Sequence, residues 1–259
     1  MTIPKKIHYC WFGRGPKPEL ALRCIETWKK YCPDYEIVEW NEDNFDVSSL
    51  PFTKEAYESR KYAFVTDYVR LYAMYHHGGI YMDTDVELTR NLDEFLCYQG
   101  FSGFESPDRV PTGIMAAQKG LALLETLMEY YDGRHFLNEA GEMDMTTNVV
   151  IISNILTNRG LKLNGQFQIV DGFAMFPRDY FCPKDLETLE INLTENTHAI
   201  HHFNGSWITP EEKKIADEYR RYRKRFGPVL GERILVARNI LREQGFAAVV
   251  RRIVSHFTH

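Results

Sequence analysis

No stretch of these 259 residues approaches the roughly 18 consecutive apolar residues of a membrane-crossing helix. A bilayer span is therefore not expected. Cysteine is sparse and odd in number, with five residues (Cys10, Cys24, Cys32, Cys97 and Cys182), none at metal-ligand spacing. That pattern excludes a disulfide scaffold and a zinc ribbon, and predicts buried, reduced thiols in a cytoplasmic setting. Residues 1–6 run straight into a strand-like segment, without the charged-then-apolar leader of a secretory signal. Gly13-Arg14-Gly15-Pro16-Lys17-Pro18 lacks the spacing of a phosphate-binding P-loop or a dinucleotide fingerprint, so no phosphate role falls to it. Internal repeats and low-complexity tracts are missing as well. No nucleic-acid partner is expected.

What is present is ordinary for a globular enzyme: 44% hydrophobic and 26% charged residues, with an aromatic share of 14% that suits both a core and ring stacking. The net charge of -5 is unevenly placed. After Pro210 there are 12 basic and 6 acidic residues, against 19 basic and 30 acidic before it. A basic tail on an acidic body points to an anionic surface such as phospholipid headgroups, or to a solvated helical face.

Apolar and aromatic runs predict strands over 6–12, 36–40, 80–82, 100–104, 113–117, 168–170 and 199–203. Helical periodicity marks 20–31, 61–77, 121–131 and 147–156. Beyond Pro210 the pattern is helical over 211–226, 228–243 and 246–257. Alternating strands and helices predict an α/β fold with a mixed sheet covered on both faces. The predicted division is a catalytic domain over 1–209 and a basic helical extension over 210–259.

The most informative segment is Gly78-Gly79-Ile80-Tyr81-Met82-Asp83-Thr84-Asp85-Val86. Two glycines stop a helix, a short apolar strand follows, and two carboxylates stand one residue apart at its end. On an extended chain such residues point the same way, so both can reach one cation. Mg²⁺ or Mn²⁺ takes a few oxygen ligands and leaves positions for phosphate. An isolated Asp-x-Asp can be a solvated turn; the glycines and the strand favour the metal pair.

Other candidates keep two readings each. His201 and His202 alternate on a strand, so only one can join the metal, and either can be a packed histidine. Trp11 closes the first strand, where its indole either stacks on a base or fills core. Asp67 and Arg70, one helical turn apart, form either an intrahelical ion pair or a binding pair for a hydroxyl and a phosphate. Glu105, Asp108, Asp144 and Asn148 lie in the middle segment where an acceptor would bind, or are simply surface residues.

Together, residues 3–13 (IPKKIHYCWFG), 63–71 (AFVTDYVRL), 78–86 and 201–207 (HHFNGSW) resemble glycosyltransferase family 32, which has Asp-x-Asp sugar-binding regions and many bacterial capsular polysaccharide enzymes. The catalytic domain of clostridial glucosylating toxins is similar over the same motifs. The resemblance implies a GT-A-like nucleotide-binding fold, anomeric retention and a divalent cation, Mn²⁺ or Mg²⁺. It implies that Trp11 stacks on the donor base, and that Asp67 and Arg70 hold the sugar and phosphates, with Tyr81 in the same donor-binding set. Asp83 would contact ribose and metal, and Asp85 the metal directly. His202-Phe203-Asn204-Gly205 is similar to the His-Phe-x-Gly segment of family 8 transferases, which assigns His202 rather than His201 to the metal. Ser206 and Trp207 resemble a closing loop that touches metal or β-phosphate. Thr147 and Asn148 are the acceptor-side match. Thr66 stands where serine is common.

The expectation is a metal-dependent retaining glycosyltransferase that moves a hexose from a nucleoside diphosphate sugar, a UDP-sugar foremost, to a glycan or lipid-linked glycan acceptor in surface polysaccharide synthesis. Its basic helices would touch the inner face of the plasma membrane, form a lid or pair two copies. Competing readings are a metal-dependent sugar-nucleotide hydrolase, a toxin-like protein glycosyltransferase and a non-catalytic sugar-nucleotide-binding subunit.

Overall fold

The computed structural model describes residues 2–106, 109–110, 113–185, 188–205, 210–227, 229–230 and 233–238. The chain divides into two compact units, Met1–Asp185 with Glu190–Trp207, and Leu186–Leu189 with Ile208–His259.

The first unit is a mixed α/β layer. Strand β1 (Lys6–Cys10) leads through helix α1 (Glu19–Tyr31) to β2 (Glu36–Trp40), and helices α2 (Pro51–Glu58) and α3 (Tyr62–His77) lead on to β3 (Gly79–Met82). Strand β4 (Val86–Leu88), a 3₁₀ turn (Asp93–Phe95), β5 (Gly100–Gly103) and β6 (Ile114–Ala117) follow. Then come α4 (Ala122–Glu129), α5 (Asn148–Asn158), β7 (Gln168–Val170), β8 (Phe173–Phe176), α6 (Arg178–Phe181) and β9 (Ala199–His201). Seven strands form one sheet in the order β2-β1-β3-β6-β5-β8-β7, and β4 pairs with β9 in a separate ribbon.

Parallel pairing of β1 with both β2 and β3 sets the position of the site. The chain leaves β1 to one side and returns to the other, so the strand order reverses at β1. In open α/β sheets the crevice beyond the carboxyl ends of the strands at such a reversal is where ligands bind. Here those ends are Trp11 and Phe12 on one strand and Asp83 on the other.

Both faces of the sheet are covered, as the unbroken apolar strands require. Alternation sends Tyr81, Met115 and Ala117 into one core with α3 residues Phe64, Val65, Tyr68 and Leu71. It sends Ile80, Met82, Ile114 and Ala116 into a second core with α1 residues Cys24, Ile25 and Trp28. Trp28 also donates its indole N–H to the Val86 carbonyl at 2.7 Å, and Thr27 Oγ1 accepts from the Leu88 N–H at 2.9 Å. Helix α1 thereby fixes the chain directly after the two aspartates.

The turn from α3 into β3 needs its glycines. Gly79 has φ +116°, and a β-carbon there would come within 2.8 Å of the Lys6 carbonyl. The Gly78 carbonyl bonds His8 Nε2 at 2.8 Å, and burial pushes that imidazole down to about 4, against the bond to Gly78.

Several boundaries differ from the sequence expectation. The first strand stops at Cys10, β6 begins at Ile114 and β9 ends at His201. Helix α2 and strand β8 were not foreseen. In the second unit, α7 spans Pro210–Phe226 with Arg223, Lys224 and Arg225 in its last turn. The helices expected over 228–243 and 246–257 lie largely outside the described residues.

Candidate active site

The carboxylates of Asp83 and Asp85 come together, but not on extended chain. Strand β3 ends at Met82, and the Val86 N–H donates back to the Asp83 carbonyl at 3.0 Å, so the pair sits in a tight turn between β3 and β4. The turn itself, rather than strand alternation, brings the carboxylates to one place. A second anchor comes from the Asp83 N–H, which donates to the Gly113 carbonyl at 2.8 Å.

Of the two histidines, the structure brings the ring of His201 to this cluster and not that of His202, which the sequence resemblance had assigned to the metal. Strand β9 runs antiparallel to β4 with His201 opposite Val86, which turns its ring to the aspartates: Nε2 lies 3.4 Å from Asp85 Oδ1. One oxygen from each of Asp83 and Asp85 and one nitrogen of His201 all lie within 4.8 Å of one another. His202 faces the other way, with Nε2 at 2.8 Å from Glu87 Oε2. Only its backbone serves the site, its N–H donating to the Asp85 carbonyl at 3.0 Å.

Helix α3 supplies the next layer. Arg70, 4% exposed, reaches Asp83 Oδ1 at 3.2 Å and Asp67 Oδ1 at 3.4 Å. Its guanidinium lies over the Tyr81 ring, 4.5 Å from the centroid, and Tyr81 Oη donates to Asp83 Oδ1 at 2.8 Å. Tyr81 is there because it is the β3 residue that faces α3. Asp67 and Arg70 are thus more than an intrahelical pair: they join Asp83 in one buried network.

The electrostatics follow from three carboxylates facing two cations in a dry place. Burial, reinforced by Asp83 and opposed by Arg70, pushes the Asp67 carboxyl up to about 6. Asp83 is raised by burial and by Asp85, against the pull of Arg70. For Asp85, burial works upward, but His201 and the Asn204 N–H (2.7 Å) outweigh it and hold the carboxyl at about 2. Burial opposes the charge on His201, and Asp85 more than offsets it. With the three carboxylates ionised, Arg70 charged and His201 neutral, as a metal ligand must be, two negative charges are left over. Two carboxylates and an imidazole around that excess form a donor set that suits Mn²⁺ or Mg²⁺.

The remaining candidates separate. Asn148, expected on the acceptor side, is buried and its amide donates to the Asp67 carbonyl at 3.4 Å, so it belongs with the α3 network. Its Oδ1 is buried without a partner. Thr147 is the residue before α5, half-buried, and makes no capping bond. Trp11 is half-buried at the β1 end of the crevice, its indole N–H donating to the Gly15 carbonyl at 2.7 Å and Lys17 Nζ 5.9 Å from its ring centroid. Glu105, mostly buried, feels His201, Arg109 and Asp83, and burial raises its carboxyl. Asp144 is half-buried and caps its own loop, accepting from the Thr146 N–H at 3.0 Å. Asp108, Ser206 and Trp207 lie outside the described residues.

Two groups beside the cluster were not singled out from sequence. Gly113 leaves no room for a side chain, since a β-carbon there would lie 2.8 Å from His201 Nδ1. Burial raises the Cys182 thiol, and His201 works against that shift. Only the tertiary fold reveals either, because neither residue belongs to a spaced motif.

Residues 18–101 match a protein family described as the glycosyltransferase sugar-binding region containing the DXD motif. That span contains Asp67, Arg70, Tyr81, Asp83 and Asp85 but not His201. The chain is 31% identical over 143 residues to inositol phosphoceramide mannosyltransferase 3 of Schizosaccharomyces pombe, covering 52% of this chain and 40% of that one. It is 28% identical over 123 residues to mannosyl phosphorylinositol ceramide synthase SUR1 of Saccharomyces cerevisiae, covering 39% and 32%. It thus spans less than half the length of these curated relatives. A solved glycosyltransferase involved in glycosylating the major capsid of PBCV-1 is 13% identical, with coverage of 82% and 98% and a TM-score of 0.47. In the segment that carries both aspartates, the chain is glycosyltransferase-like.

Proposed function

We propose that this chain is a cation-dependent glycosyltransferase that moves a hexose from a nucleoside diphosphate sugar to a hydroxyl of a glycan or lipid-anchored acceptor. The observation that carries the proposal is the convergence of Asp83, Asp85 and His201 within a buried network containing Arg70 and Asp67. This donor set fits a divalent cation held by Asp83, Asp85 and His201. Such an ion, when bound, neutralises the negative charge that builds on a departing diphosphate.

The chain's own residues supply the rest. Arg70, locked between two carboxylates and the Tyr81 ring, presents a fixed positive charge beside the cation site and holds Asp83 in place. Asp67, a buried carboxylate, can accept hydrogen bonds from sugar hydroxyls. Trp11 offers an indole face to the base at the other side of the strand-order reversal. Retention, which the sequence resemblance implies, would then proceed by same-face substitution, in which the leaving diphosphate takes the acceptor's proton and no protein carboxylate attacks the sugar.

Names of the two curated relatives support mannose as the hexose and a phosphoinositol lipid as acceptor class. The capsular role suggested by the sequence resemblance has no such support. A lipid acceptor also accords with the basic last turn of α7, which would rest on anionic headgroups; among the described residues no helix is long and apolar enough to cross a membrane. Co-sedimentation with anionic vesicles that weakens with salt is the expected outcome, and no sedimentation at low salt would remove the membrane contact.

The decisive experiment is a screen of the purified chain against several sugar nucleotides with Mn²⁺, read as nucleoside diphosphate release, in wild type and Asp85→Ala. Release that needs both the cation and Asp85 is expected. Release unchanged in Asp85→Ala would refute the assignment, and stoichiometric free sugar with acceptor saturating would make the protein a hydrolase.

A further inference from the structure

A ligating histidine is usually oriented by a hydrogen bond on its second ring nitrogen. In His201, Nε2 faces Asp85 at 3.4 Å, and among the described residues Nδ1 is buried with no hydrogen-bonded partner. Packing holds the ring instead. The backbone of Gly113 lies so close that a β-carbon there would stand 2.8 Å from Nδ1. The ring of Phe203 lies against the imidazole, with centroids 4.4 Å apart and planes tilted by 40°.

Phe203 keeps that place against its own backbone preference. Its φ is +54°, in the left-handed region that bulky residues rarely enter. Torsions of this kind persist where the surroundings over-determine them, and they cluster at functional sites. Here the chain is tied on both sides of Phe203. Before it, the His202 N–H donates to the Asp85 carbonyl at 3.0 Å, and the His202 carbonyl accepts from Lys184 Nζ at 2.7 Å. After it, the Asn204 N–H donates to Asp85 Oδ2 at 2.7 Å. Rotation about φ carries both the β-carbon and the chain that follows. One torsion therefore sends the ring to His201 and the next N–H to Asp85.

We propose that Phe203 is a positioning residue of the site: its ring fixes the His201 imidazole, and its left-handed backbone aims the Asn204 N–H at Asp85. Two of the three cation ligands are thus set by one residue. A turn with no other task would carry glycine or asparagine at such a φ. The aromatic ring is what the imidazole requires and the turn does not. This inference rests on the proposed cation site and adds the residue that orients it.

The test measures Mn²⁺ itself, by electron paramagnetic resonance or calorimetry on the full chain without donor or acceptor. Phe203→Asn tolerates the left-handed backbone and removes the ring. It should melt close to wild type and bind Mn²⁺ about 10- to 100-fold more weakly, the loss typical when the support of a ligating histidine is removed. Phe203→Tyr, which keeps the ring, should retain most of the affinity. Wild-type affinity in Phe203→Asn, or a loss in Phe203→Tyr as large as in Phe203→Asn, would overturn the role of Phe203 while leaving the cation site standing. Failure of the wild type to bind Mn²⁺ would overturn both. A further measurement needs no variant: in wild type with Mg²⁺ bound, nuclear Overhauser contacts between the ring protons of Phe203 and His201 should persist, and their loss on binding would refute the role.

Discussion

Asp67 is a carboxylate that the fold would rather keep neutral, and Asp67→Asn measures how strongly. Its carboxyl is displaced from the ordinary 3.8 to about 6, a net effect of burial and Asp83 that already includes the opposing attraction of Arg70. A tenfold change in proton affinity is worth about 1.4 kcal/mol, so ionised Asp67 costs the native state about 3 kcal/mol at neutral pH. A raised carboxyl contributes fully to stability below 3.8 and loses that contribution as pH climbs through 6. Asparagine stays neutral throughout, and Arg70 keeps its contact with Asp83 at 3.2 Å. The variant should therefore melt roughly 6–12 °C above wild type at pH 7.5. The advantage should shrink through pH 6 and vanish near pH 4, while donor turnover falls at least about 100-fold through loss of an oriented acceptor for sugar hydroxyls. Thermal and urea melts of both proteins without metal, across that pH range, read the difference directly, since all other titrations are shared. An asparagine variant less stable at pH 7.5, or an advantage indifferent to pH, would refute the electrostatic account of this network.

Two further outcomes separate the parts of the site from the parts of the scaffold. His201→Ala should abolish Mn²⁺ binding while His202→Ala leaves it nearly intact, as checked by calorimetry; the reverse order would restore the sequence-based choice. Gly79→Ala should destabilise the fold by about 2–4 kcal/mol in urea denaturation, because the backbone is at φ +116° and the added carbon meets the Lys6 carbonyl.

Long periodic segments declared themselves in sequence. Helix α3 was legible because its apolar face repeats over four turns and two glycines end it, and β3 because Ile80 to Met82 stand between punctuation and charge. Helix α2 escaped because it has only eight residues, too few for a period to emerge, although Pro51 marks its first turn. The Phe173–Phe176 strand lay in plain view as an apolar run between Gly172 and Pro177. The acidic pair, Asp67 and Arg70 were found by their spacing and their place on an element. Which of two adjacent histidines faces them depends on the register of β9 against β4, a pairing across more than a hundred residues that local pattern does not encode. Asn148 is expected on the acceptor side, and its contact with the Asp67 carbonyl, which spans about eighty residues, is one that local pattern does not encode.

The large sheet receives its last strand at Phe176, yet the pocket's imidazole arrives only with the short ribbon that ends at His201. Architecture and chemistry are thus completed at different moments of synthesis. A nascent chain halted before residue 199 would already own its scaffold and still lack the third ligand of the proposed cation site, so on that proposal the protein cannot begin to act until nearly all of its first unit has emerged.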